Sequence, residues 1–127
     1  MEIVRRFYAQ WDAADFGSIA AMLDPDVEGS APEGWPESGP WRGRDEVLAQ
    51  MRTVRADFGD QTIVIEKIET NGDRVVTRGR VLARGVRSGL VAEFENSCAF
   101  RVHDGKIIEA RFFWDHDEAL KAVGLEG

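Results

Sequence analysis

Cysteine occurs once in the chain, at Cys98, which excludes an intrachain disulfide and any metal centre built on clustered thiolates. Histidine occurs only at His103 and His116, too few for a His-rich cage, so neither a metal nor a cofactor is expected. No apolar run approaches the ~18 residues of a membrane-spanning helix. The opening, MEIVRRFYAQW, is amphipathic rather than the apolar core of a signal peptide. Positive charge is in deficit: the net charge of −7 argues against a general nucleic-acid or anionic-membrane binder, both of which favour basic patches. Repeats and low-complexity segments are missing too. These absences leave a cytoplasmic, reduced protein with no nucleic-acid or membrane partner.

What is present is ordinary for a globular chain. The 127 residues fit one domain, 1–127, with room for a modest core. Ile3, Val4, Phe7, Tyr8, Trp11 and Ala14 recur at spacings of three and four, which predicts a helix over residues 2–14. A shorter helical pattern follows with Ile19, Ala20 and Leu23, stopped by Pro25. Asp26 to Ser30 reads as a short strand, and Val47, Leu48, Met51, Val54 and Phe58 mark a third helix. In the second half the period changes. QTIVIEKIE, DRVVTRGRVLARG, GLVAEFENSCAFRV and KIIEARFFW are four extended runs rich in β-branched and aromatic residues. Asn71-Gly72 and Asp104-Gly105 are tight-hairpin signals. Asp115 or His116 opens a last short helix, with Gly124 as its C-cap. Helices first and a curled antiparallel sheet afterwards predict an α+β fold.

All four prolines lie between residues 25 and 40. Three of them fall in or beside the segment EGWPESGPWRGRDEV, which also carries Trp35 and Trp41 and cannot be regular structure.

The element order, the WPESGPWRGRDEV connector and the GKIIEARFFWDHDEALKAVGL ending together resemble the SnoaL-like branch of the nuclear transport factor 2-like superfamily. The resemblance runs from the Arg5-Arg6-Phe7 helix to Gly124. It implies a cone: a curved, mainly antiparallel sheet wrapped around the N-terminal helices, with an internal pocket open at one end. It also implies homodimers that pair through the sheet. It does not imply one activity, since the superfamily includes isomerases, cyclases, dehydratases, epoxide hydrolases and proteins with no chemistry.

Ketosteroid isomerases on this fold use a tyrosine and a protonated aspartate as oxyanion donors, with an aspartate as base. Laid along this chain, the tyrosine position falls on Phe7, with Tyr8 about 100° away around the helix. The base position falls near Gly29, with Glu28 adjacent, and the oxyanion aspartate position falls on Cys98. None of the three roles is filled at its matching position, so turnover is left open. The epoxide-hydrolase set of two aspartates and an arginine is matched poorly by Arg80 with Glu95 or Asp115, because their inferred facings disagree.

If Cys98 faces the pocket, alternation brings Phe94, Asn96 and Phe100 with it. The last strand then presents Ala110, Phe112 and Trp114 inward, and the DRVVTRGRV strand presents Arg78, Arg80 and Leu82. The expected ligand-binding residues are Phe7, Trp11, Trp35, Arg80, Asn96, Cys98, Phe100, Phe112 and Trp114. Trp35 is the candidate lid over the pocket mouth, and Trp41 the anchor that pins the loop to the core. Glu28 and His116 are the candidate general acid–base groups.

Each assignment has a structural alternative. Phe7 and Trp11 would equally fill a core. Arg80 would pair with Glu28 or Glu95, or lie in solvent if the strand parity is reversed. Cys98 would be a small buried hydrophobe, and His116 a cap or ion-pair member. The expected partner is a small hydrophobic or aromatic molecule, with an anionic or carbonyl group meeting Arg80. The alternatives are an isomerase, cyclase or dehydratase acting by acid–base chemistry on a polyketide-like or carbonyl substrate, and a dimeric interaction module without ligand.

Overall fold

The computed structural model describes residues 2–31, 39–57, 60–84, 89, 91–122 and 124. In chain order the elements are α1 (Glu2–Asp12), α2 (Phe16–Met22), β1 (Leu23–Ser30), β2 (Trp41–Arg42), α3 (Arg44–Asp57), β3 (Asp60–Asn71), β4 (Arg74–Arg84), β5 (Val91–His103), β6 (Lys106–Phe113) and α4 (His116–Ala122). This is an α+β architecture with one curved, six-stranded sheet in the order β2-β1-β6-β5-β4-β3. No helix among the described residues is long and apolar enough to cross a membrane.

The sheet is mixed rather than purely antiparallel. The β3–β4, β4–β5 and β5–β6 ladders are antiparallel, whereas β1 runs parallel to β6. Asp104 and Gly105 both take positive φ, 51° and 74°, the backbone of a type I′ turn that closes the β5–β6 hairpin through the His103–Lys106 pair. The β3–β4 hairpin closes one residue later than the Asn71-Gly72 reading: Asn71 pairs with Arg74, and Gly72-Asp73 forms the turn.

Two local expectations shift. Leu23 leaves the helical pattern, caps α2 with extended backbone and opens β1. Pro25 therefore lies inside a strand. The β1–β6 pairing breaks between Leu23 and Glu28, so the missing proline N–H removes no ladder bond there. Phe58 lies outside the described residues.

The sheet separates two apolar clusters. On the concave side, Ile3, Val4, Phe7, Tyr8 and Trp11 of α1 pack with Ile19 and Met22 of α2, Val47 and Leu48 of α3, and Val27, Val75, Phe100 and Ile107 of the strands. On the convex side, Val76 and Ala99 meet Ala119 of α4, with Phe113 and Leu120 against them. Strand alternation accounts for the division, since Val75 and Val76 are neighbours in sequence and both buried, on opposite faces. In β3 the alternation changes phase. Ile65 pairs with Gly79 and Lys67 with Arg78, which leaves Glu66 as the extra residue of a bulge.

Candidate functional site

Between α1, α3 and the concave face of the sheet lies a cavity of about 160 Å³. Its wall is aromatic and aliphatic. Phe7, Tyr8 and Trp11 come from one face of α1, Met51 from α3, Ile63 from β3, Val81 from β4, Phe94, Cys98 and Phe100 from β5, and Ala110 and Phe112 from β6. Phe7, Tyr8 and Phe100 interlock edge to face, with ring centroids 5.5, 5.6 and 6.0 Å apart. Trp41 also lines the cavity. It packs over Gly29, where an added Cβ would sit 3.4 Å from the indole ring.

Among the described residues, the polar side chains that line the cavity are Tyr8, Ser30, Gln50, Asn96, Cys98 and Arg111, and Thr77 stands behind Tyr8. The Tyr8 hydroxyl and Thr77 Oγ1 are 2.8 Å apart, both buried. The Cys98 thiol donates to Asn96 Oδ1 at 3.3 Å. Burial pushes the Cys98 thiol up to about 11, because a thiolate there would lose its hydration. Burial, and then the neighbouring Cys98, likewise raise the Tyr8 phenol well above its ordinary value. Both groups therefore stay neutral at physiological pH.

Phe7, Trp11, Asn96, Cys98, Phe100 and Phe112 all line this cavity. Trp114 does not. It is 42% exposed and stands beside the wall, in edge contact with Phe94 at 6.2 Å and Phe112 at 5.0 Å. Trp35 lies outside the described residues.

Arg80 requires a correction. The β4–β5 register pairs Thr77 with Cys98 and Val81 with Phe94, so the odd residues of β4 face the cavity and the even ones face away. Arg78, Arg80 and Leu82 are on the convex side. Arg80 binds Glu93 at 3.2 Å and approaches Glu66 at 4.0 Å, and Arg78 binds Glu95 at 2.6 Å.

The two acid–base candidates are also elsewhere. Glu28 is on β1 and lines not the cavity but an adjoining polar groove, which shares Gly29, Ser30 and Arg111 with it; its carboxylate is more than half exposed and lies 3.6 Å from Arg42. His116 is buried under α4 on the convex side. Its Nδ1 is 3.1 Å from Ser97 Oγ and its Nε2 is 3.7 Å from Glu69. Helix α4 opens as expected, with Asp115 Oδ1 accepting from the Asp117 N–H. His103 is exposed beside Asp104.

Among the described residues no carboxylate or imidazole lines the cavity, and no three His, Cys, Asp or Glu side chains come together as a metal site. Arg111 touches the wall, but its guanidinium stacks over Phe113 on the other face, 5.1 Å from the ring centroid. Sequence reasoning set Tyr8 aside and left Thr77 out. The four arginines at alternate positions 74, 78, 80 and 84 carried the missing signal, because they mark one face of β4 as solvated and leave Thr77 and Val81 for the other.

Residues 4–110 match the family model of the SnoaL-like domain. The chain belongs to that family. An uncharacterised protein of Mycobacterium tuberculosis is 29% identical to it, with 96% of this chain and 93% of that protein aligned. Among solved structures, a nuclear transport factor 2-like protein of unknown function from Burkholderia pseudomallei is similar at a TM-score of 0.82 and 25% identity, covering 95% of this chain and 94% of that one. TerC, co-crystallised with polyporic acid, is similar at a TM-score of 0.80 and 23% identity over 98% and 95% of the two chains. A second M. tuberculosis protein, in complex with an estradiol hemisuccinate, reaches 0.75 at 18% identity over 89% and 91%. At these identities the last two establish the SnoaL-like chain's fold alone.

Proposed function

We propose that this SnoaL-like protein binds a small, neutral, hydrophobic or aromatic molecule in the cavity between α1 and the concave face of the sheet. The observation that carries the reading is the wall itself: mostly aromatic and aliphatic residues around about 160 Å³, with Arg111 the one charged side chain among the described lining residues and its guanidinium stacked on Phe113. A dry apolar cavity of roughly 150 Å³ is enough to hold one benzene ring. An open pocket of this kind, with few convergent polar groups, is the usual form of a small-molecule site. The small-molecule complexes of TerC and of the estradiol-bound relative support the reading by analogy of fold. A neutral guest replaces the anionic one, since Arg80 is on the far face. Binding is preferred to acid–base turnover because neither Glu28 nor His116, nor any other carboxylate or imidazole among the described residues, lines this cavity.

The direct test is titration with the neutral one-ring aromatic α-methylstyrene, followed in ¹H–¹⁵N correlation spectra. We expect saturable shifts at the cavity-lining residues of the parent protein and their loss in Ala110→Phe, which fills the wall from β6. Equal affinity in both would sink the assignment to this cavity.

The reading includes a homodimer formed through the convex face. Val64, Leu82 and Val91 are large exposed hydrophobics at outward positions of β3, β4 and β5, interspersed with the Arg80–Glu93 and Arg78–Glu95 pairs. Sedimentation of the parent and of Leu82→Glu tests it: a parent that sediments as a monomer overturns the dimer.

A further inference from the structure

Two short contacts order the polar side chains at this wall. Thr77 Oγ1, behind the wall, and the Tyr8 hydroxyl are 2.8 Å apart. The Cys98 thiol donates to Asn96 Oδ1 at 3.3 Å. Cysteine has a single side-chain hydrogen to give, and here it is committed to the Asn96 oxygen.

Asn96 is a primary amide whose oxygen already accepts that hydrogen, which leaves its two Nδ2 hydrogens as the larger part of what it offers a guest. Ser30 and Gln50 also line the cavity, but a hydroxyl or an unconstrained amide serves either role. Discrimination between donors and acceptors thus falls to Asn96.

We propose that Asn96 is the specificity-determining residue of the cavity, donating from Nδ2 to an acceptor atom of the guest, and that Cys98 is a positioning residue which holds the amide that way round. The ligand class is a neutral aromatic bearing an unprotonated acceptor, such as an aryl ketone, quinone or lactone oxygen. Amines and other groups whose main offer is a hydrogen would meet a wall that offers hydrogens already. The inference rests on the cavity being the ligand site.

The test uses two probes of nearly the same shape, acetophenone and α-methylstyrene, which differ by a carbonyl oxygen against a methylene. Their dissociation constants are measured on the parent, Asn96→Leu, Cys98→Ala and Cys98→Ser by ¹H–¹⁵N correlation spectra. Intrinsic hydrophobicity differs between the probes, so the readout is the change in their affinity ratio from parent to variant. One lost hydrogen bond corresponds to a shift of roughly tenfold against acetophenone. We expect that shift in Asn96→Leu, a smaller one in Cys98→Ala, where the amide is released to turn, and none in Cys98→Ser, whose hydroxyl restores the bond to Asn96. The Asn96 side-chain amide resonances of the parent should move with acetophenone and hold still with α-methylstyrene. An unchanged ratio in Asn96→Leu overturns the recognition role. Loss of the ratio in both Cys98 variants, or in neither, overturns the positioning role. If α-methylstyrene fails to bind the parent, the cavity reading itself fails, and this inference with it. Should Asn96→Leu not fold, the parent's amide resonances decide the recognition role: no shift with acetophenone overturns it.

Discussion

The two faces of strand β4 are a residue apart in sequence and opposite in chemistry. Toward α1 and α3 it presents Val75, Thr77, Gly79, Val81 and Ala83, all buried; on the other face Val76 is buried against α4, and Arg78, Arg80, Leu82 and Arg84 are exposed. The inward set builds the core and closes a cavity whose wall is mostly apolar. The outward set forms ion pairs with Glu66, Glu93 and Glu95, none of them fully out of water. Such half-exposed pairs contribute little to stability. In this protein the candidate site is a property of one face, and the face is set by register alone.

The comparison breaks most sharply at Val81 and Leu82. Arginine at Val81, which is 2% exposed, would bury an unpaired charge in an apolar wall. It should destabilise the protein by about 4 kcal/mol or more, to the point of unfolding. Arginine at Leu82, 42% exposed, should change stability by less than about 0.5 kcal/mol. Urea denaturation of the two variants gives the contrast, and similar losses would show the face assignment to be wrong.

Next in size is Phe100→Ala. This ring is 2% exposed and packs against both Phe7 and Tyr8, so its removal should cost about 3–5 kcal/mol. Phe113→Ala, on the convex face, should cost clearly less. Thermal melts of both rank the two clusters.

A pH series sharpens the inner face further. Burial raises the Cys98 thiol from 9.0 to about 11, so between those values the folded state holds a proton that the unfolded chain has released. Stability from this group is therefore complete below about pH 9 and is lost as pH rises toward 11, by at most about 2–3 kcal/mol. Denaturant midpoints measured from pH 8 to 11 should fall less steeply in Cys98→Ala than in the parent. Parallel curves would remove Cys98 from the account.

The smallest effect is expected at Arg80. Arg80→Ala should leave probe affinity unchanged and alter stability by less than about 0.5 kcal/mol. A severalfold loss of affinity for α-methylstyrene would bring the outer face back into the site.

These contrasts also indicate what was legible beforehand. Apolar spacing located the three N-terminal helices, and the hairpin from His103 to Lys106 followed from Asp104-Gly105. The inward face of β5 was legible because Phe94, Asn96, Cys98 and Phe100 share one parity. That of β4 was not, because residues 85–90 between β4 and β5 are no two-residue turn, and only such a turn fixes register locally. The parallel pairing of β1 with β6 joins segments about eighty positions apart, beyond any local pattern. Tyr8 was discounted on a one-residue offset along α1, yet both it and Phe7 reach the cavity. A helix lying inside a curved sheet is contacted over an arc wide enough for both.

The bulge at Glu66 has a consequence for how this chain tolerates change in length. Before it, Ile63 and Ile65 share the inward parity; after it, Ile68 and Thr70 do, opposite Thr77 and Val75. Glu66 is thus the one surplus residue of an otherwise regular alternation, and the bulge absorbs it. Deleting it would leave Lys67 opposite Arg78 and Ile68 opposite Thr77, with every later side chain on its present face. Adding a second residue beside it with no further bulge would instead turn Lys67 and Glu69 into the cone and Ile68 out of it. A loop elsewhere on the surface can gain or lose a residue at little cost; in the middle of β3 the residue count decides which side of the sheet is the inside.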